Sequence, residues 1–185
     1  MELVLVLLLT LPGLNAATVR DIVRIEHFGN CKNVVRGKHN YYDNITLISL
    51  GRGSYGVNTD YEVIMSAKKI LATYEVFKCP SNSATNCEQF GNFKHNDFCP
   101  KLEEKGQFWS PIFENTRPPL KCPFKKITYQ LRNATFDVHT LLTFVKFIPD
   151  FSNFYWLTKT YYWTTPGKQM MECKSVVFKT TKIRV

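Results

Sequence analysis

Signatures of catalysis and of metal binding are missing from this chain. It has no G-x-S-x-G elbow, no H-E-x-x-H pair and no Walker sequence. The four histidines (27, 39, 95 and 139) stand at no ligand-like spacing, and the cysteines include no C-x-x-C pair. Acidic residues are scarce, 15 against 24 Lys and Arg. Glu103-Glu104 reads as a solvated helix face, so a paired-carboxylate site has little to be built from. These gaps argue against an enzyme and imply no catalytic residue, no metal and no cofactor. The chain also lacks repeats, low-complexity tracts and linkers, and no second long apolar run follows the first.

That first run is Leu3 to Leu11, broken by Pro12-Gly13 and followed by the small residues of Asn15-Ala16-Ala17. A short apolar stretch ending in small residues predicts a secretory signal peptide over 1–16, with a single domain over 17–185. A bilayer span would need about 20 residues. The n-region is irregular, because Glu2 is its one charged side chain; a buried N-terminal strand or helix is the alternative. Six cysteines (31, 79, 87, 99, 122 and 173) lie behind the predicted cleavage point. An even count in an exported chain predicts three disulfides, with fifteen possible connectivities. Two sequons, Asn44-Ile45-Thr46 and Asn133-Ala134-Thr135, predict glycans on the outside of the fold. The protein is therefore expected to be secreted and extracellular.

The net charge of +9 favours anionic partners, such as an acidic membrane surface or glycans. Its clusters at Lys68-Lys69, Lys121 to Lys126 and Lys179 to Arg184 are short and accompany no nucleic-acid module, so no nucleic-acid partner is expected. Periodicity is that of strands. Phe154 to Thr164 and Gln169 to Thr180 flank Thr165-Pro166-Gly167-Lys168, a hairpin pattern. Further strands are expected within Asp43 to Leu50, Asp60 to Lys78 and Thr128 to Val138. Asp97 to Lys105 reads as one short helix, with Asp97 placed to cap and Pro100 in the first turn. Pro111, Pro118 and Pro119 mark the next stretch as a loop. Many strands and one short helix predict an all-β fold, an antiparallel sandwich or cup of two sheets.

Two stretches carry more apolar bulk than a one-sided sheet needs. In one, Phe154, Trp156 and Tyr162 point one way while Tyr155, Leu157, Tyr161 and Trp163 point the other. Such a strand is either buried on both faces, covered by a loop, or lines an apolar cavity. In the other, Leu141, Leu142, Phe144, Val145, Phe147 and Ile148 are too apolar for a solvated loop. They form a core strand, line a cavity mouth, or touch a membrane.

The segment Cys122-Pro123-Phe124-Lys125-Lys126-Ile127-Thr128-Tyr129-Gln130-Leu131 resembles the C-P-F-K-x-G-T-Y-x-L segment of the lysosomal ganglioside activator family. Lys78-Cys79-Pro80 through Cys87, then Phe98-Cys99, is similar to that family's short cysteine loop and F-C pair. Cys31 ahead of a sequon and Cys173 in the last strand also fit. The resemblance spans about residues 30 to 183, is weakest over 47–75, and is nearest in style to the divergent insect secreted branch that includes the CheB chemosensory proteins. It implies pairing of Cys31 with Cys173, Cys79 with Cys87 and Cys99 with Cys122. It implies a β-cup around an apolar cavity for lipid tails, and the bulk of the two apolar stretches places Leu141, Phe144, Phe147, Trp156 and Tyr162 at its wall or mouth. Two features depart from the family: the loop over 107–121 lacks a fourth disulfide, and Ile127 stands where the family has glycine. Three roles remain open: a lipid or pheromone carrier that meets a receptor, a cofactor lifting lipid from a membrane for a glycolipid hydrolase, or an immune recogniser of microbial lipid.

Overall fold

The computed structural model describes residues 19–51 and 54–184; the predicted signal peptide over 1–16 lies outside them. The chain forms two antiparallel sheets. One has five strands in the order β1 (Val19–Asn30), β9 (Met170–Arg184), β8 (Tyr155–Thr164), β4 (Ile70–Cys79) and β5 (Glu88–His95). The other has four, in the order β2 (Tyr41–Gly51), β3 (Ser54–Glu62), β7 (Thr128–Ala134) and β6 (Thr116–Arg117). This is the all-β, two-sheet fold expected from the strand periodicity.

The small sheet alternates along β3 and β7. Tyr42, Tyr61, Tyr129 and Leu131 are buried on its inner face. Its outer face is polar, with Arg132 paired to Asp60 at 2.6 Å and Arg36 to Asp43 at 2.8 Å. In the large sheet Trp156 and Tyr162 turn inward and are buried, while Tyr155, Leu157, Tyr161 and Trp163 turn outward and stay half-exposed. No loop is needed to cover that outer row, because it carries polar support. Trp163 Nε1 donates to Thr73 Oγ1 at 3.2 Å, the Tyr161 hydroxyl donates to Glu75 at 3.2 Å, and Lys159 and Lys179 lie over the rings of Phe77 and Tyr155.

The helices differ from expectation. Residues 97–105 hold only a 3-10 turn, Cys99–Leu102, although Asp97 does accept a bond from the Cys99 amide at 3.2 Å. The disulfide at Cys99 and the burial of Phe98 and Leu102 fix one turn, and nothing extends it. The stretch expected to be a loop begins with a short helix, α1 (Ser110–Glu114), with Pro111 in the first turn where its missing N–H costs nothing. The apolar run after 137 is a helix, α2 (Val138–Val145), so the core-strand reading is wrong there. Its start is set by Asp137, whose carboxylate accepts from the Thr140 amide at 3.1 Å. A second 3-10 turn, Phe151–Asn153, leads into β8.

Three disulfides join Cys31 to Cys173, Cys79 to Cys87 and Cys99 to Cys122, the pairs that the resemblance implies. No helix among the described residues is long and apolar enough to cross a membrane. Gly51, Gly53 and Gly56 have G-x-G-x-x-G spacing, but that stretch joins the antiparallel strands β2 and β3. A dinucleotide loop would instead have to lead from a strand into a helix.

Candidate functional site

The cross-strand register lays out the chemistry on the inner face of the large sheet. Ile25, Phe178, Trp156, Lys78 and Glu88 form one row across β1, β9, β8, β4 and β5. The next row is Phe28, Val176, Thr158 and Val76. The third is Asn30, Lys174, Thr160, Tyr74 and Phe93, reaching from β1 to β5. The fourth contains Glu172, Tyr162 and Ala72. The first two rows are apolar on β1 and β9, and polar side chains enter at Lys78 and Glu88 in the first row and across the third and fourth.

The small sheet closes over the β1, β9 and β8 side. Tyr42 stacks on Tyr61 at 4.6 Å, Phe28 meets Tyr42 edge-on at 5.2 Å, and Phe98 packs on Tyr162 at 4.9 Å. Beneath them lies Glu172, fully buried, with Oε2 accepting a hydrogen bond from the Tyr61 hydroxyl and Oε1 lacking a partner. Burial raises its pKa, so the carboxyl resists ionisation even though Lys174 pulls the other way. Burial above all likewise raises the tyrosines at 42, 61 and 162, which stay protonated, and any charge on Glu172 would add to the rise. Asn40 joins the same core: its Oδ1 accepts the amides of Ile64 and Met65, and its Nδ2 donates to the Tyr61 hydroxyl at 3.3 Å.

The β4–β5 side is less covered. Phe93 shares an inner-face row with Tyr74 and is 55 % exposed, its ring lying over Gly91, where an added Cβ would sit 2.9 Å from it. Phe90 meets Trp156 edge-on at 5.1 Å and is 46 % exposed. At the opposite end an open groove of about 670 Å³ runs between β1, the β2–β3 end and α2, lined by Val23, Leu50, Tyr55, Pro111, Phe136 and Leu142, with Arg20 and Asp21 at its rim.

The five residues expected to wall a cavity do not meet at one point. Leu141 is buried under α2, whereas Phe144 and, just past the helix, Phe147 project outward at 58 % and 80 % exposure. Trp156 and Tyr162 are packed into the interior, the former stacked on Phe151 at 4.6 Å with its Nε1 donating to the Phe151 carbonyl. A ladder of rings nevertheless connects the two groups. Phe144 touches Phe108, Phe108 touches Phe136, Phe136 touches Phe178, and Phe178 touches Phe151 against Trp156. Reading the sequence missed Phe90, Phe93, Lys174 and Glu172. The first two lie in a polar-looking strand, and the last two fall in a hairpin arm whose inward phase is visible only once its register is known.

The two sequon asparagines are exposed, and each sits at a register shift flanking β3, with φ of 50° at Asn44 and 55° at Asn133. Asparagine tolerates that left-handed conformation better than most residues. No protein-family model matches the chain, and no curated protein matches it.

Proposed function

We propose that this protein is a secreted, non-enzymatic binder of hydrophobic small molecules that carries or presents a lipid or pheromone-like ligand in an extracellular fluid. The observation that carries the reading is the uneven cover of the inner face. Large aromatic side chains, Phe90 and Phe93, lie open to solvent on a face that also presents Tyr74 and Val76 beside them. A fold at rest gains by burying such rings, at roughly 1.5–3 kcal/mol for a Phe side chain, so their exposure suits a surface completed by a ligand. An acyl chain gains about 0.8 kcal/mol per methylene buried, which needs few fixed polar groups and no catalytic ones. Three disulfides fit an oxidising compartment, and the resemblance to the ganglioside activator family points the same way.

The neutral probe N-phenyl-1-naphthylamine is expected to bind with enhanced fluorescence and to be displaced by long-chain lipids. Phe93→Glu should weaken its binding about tenfold, which corresponds to about 1.4 kcal/mol, without changing the circular dichroism. Failure of the wild-type protein to take up any lipophilic probe would overturn the proposal. The reading also places glycans at Asn44 and Asn133 of the secreted protein. Partial enzymatic deglycosylation should then lower the mass in two steps, and a single-step or unchanged mass would remove one or both sites.

A second reading, extraction of lipid from a bilayer, draws on the tip beyond α2. There Phe147 is exposed with the Lys146 ammonium 4.9 Å from its ring, an aromatic–basic pair suited to an anionic membrane surface.

A further inference from the structure

We propose that the ligand is an amphiphile with a carboxylate head, and that Lys174 on the inner face holds that head while the chain runs over the exposed rings of Phe93 and Phe90. The inference rests on the reading above, that the inner face takes a hydrophobic ligand, and it names the chemical class.

Three observations lead to it. Lys174 stands in the third of the rows described above, between Asn30 and Thr160, with Tyr74 and Phe93 further out. A hydrocarbon chain laid over Phe90 and Phe93, on the side of the face that the small sheet leaves open, would reach that row. Secondly, the ammonium is held over this surface: it lies 5.0 Å from the Tyr162 ring centroid and 5.9 Å from that of Tyr42. Among the described residues no carboxylate lies within the 4.0 Å of a salt bridge to it. Its side chain faces inward yet remains half-exposed, so solvent, and hence a ligand, reaches it. A partly desolvated cation without a counterion is unfavourable, and a ligand carboxylate supplies the missing partner.

The third observation is Glu172, two residues along the same strand face. An ionised carboxylate there would pair with Lys174 and repel an anionic head. Its burial, with one oxygen bonded by Tyr61 and the other unpartnered, raises its pKa and so works against both, and the two side chains form no salt bridge. Tyr74, raised by burial, also stays a neutral hydroxyl beside the cation. The groups facing this spot are thus Tyr42 from β2, Tyr61 from β3, Tyr74 from β4 and Tyr162 from β8, whose hydroxyls stay protonated, and Glu172 from β9, whose burial works against ionisation.

The test is competition against N-phenyl-1-naphthylamine by dodecanoate and by dodecan-1-ol, which share a chain length and differ in the head. At pH 8 the wild-type protein should prefer dodecanoate by tenfold or more. Lys174→Met should bring the two within about twofold of each other, and Lys174→Arg should keep the preference. Equal displacement by both compounds in the wild type, or a preference surviving in Lys174→Met, overturns the inference while leaving hydrophobic binding intact. Absence of probe binding in the wild type overturns the binding proposal itself, so the two failures are separable. A measurement without any variant guards against misfolding: the wild-type preference should vanish as dodecanoate is protonated, below a pH of about 4 to 5. A preference that persists there also overturns the inference.

Discussion

Replacing Cys31 and Cys173 together by alanine is expected to cost about 5 kcal/mol of stability, roughly twice the loss from replacing Cys79 and Cys87. The difference follows from chain length. The first bridge joins residues 142 apart in sequence and the second residues 8 apart. In the chain-entropy account a cross-link removes freedom from the unfolded ensemble in proportion to the logarithm of the loop it closes, giving about 5 against about 2.6 kcal/mol. Local packing does not blur the comparison, because Cys173 and Cys79 are both fully buried and leave similar gaps when trimmed. In the folded state the long bridge merely reinforces a contact the sheet already makes, since the Cys31 amide donates to the Cys173 carbonyl at 3.0 Å. Single domains are commonly stable by 5–15 kcal/mol, so the first double variant should lose a third or more of its stability, and near the lower limit all of it. Urea unfolding of the two double variants measures this directly. Equal losses would mean that the unfolded chain is already confined near residues 31 and 173, or that strain in the folded state dominates.

Much of the architecture was legible because strands were announced by bulk and by turns. The β8–β9 hairpin could be read from its aromatic and β-branched arms around Pro166-Gly167, and the inward phase of Trp156 and Tyr162 was the phase assigned to them. β5 was missed because an edge strand needs no apolar alternation: its residues are mostly polar, and Phe90 and Phe93 follow an odd spacing across the register shift near Phe77. β1 was missed for a related reason, a bulge between Ile25 and His27 that breaks the period of two. At 141–148 apolar content was seen and its period misjudged. Leu141 alone among the α2 residues is buried, so the run is a helix with one seated side and Phe144 projecting from it. The candidate site was the least legible part. It depends on which residue of β9 stands across from which residue of β8, and register is set by tertiary pairing rather than by composition.

That dependence is sharpest at Glu172, and it yields the second large expectation. Tyr61→Phe should destabilise the protein by about 2 to 3 kcal/mol, because it removes the one hydroxyl bonded to a fully buried carboxyl whose other oxygen already lacks a partner. It also takes the acceptor from the Asn40 amide at 3.3 Å. The same carboxyl predicts how stability varies with pH. Burial raises the Glu172 pKa in the fold above its ordinary value of 4.5, so between those two values the unfolded chain binds fewer protons than the native one. Stability associated with this group is therefore present below pH 4.5 and is lost as pH climbs through the raised value. Asp60 and Asp137 contribute in the opposite sense at lower pH, hydrogen bonds from Asn44 and from the Thr140 amide respectively being the leading causes that hold their pKa values down. A comparison of the wild type with Glu172→Gln cancels them. Glutamine keeps an oxygen for the Tyr61 hydroxyl and does not ionise. The two proteins should differ least near pH 4, and the wild type should fall progressively behind as pH rises, with Tyr61→Phe extending that decline because it removes a bond to the ionised form. Urea midpoints measured from pH 4 to 9 decide the matter. Parallel profiles for wild type and Glu172→Gln would mean that Glu172 is ionised in the fold, and that Lys174 has its counterion after all.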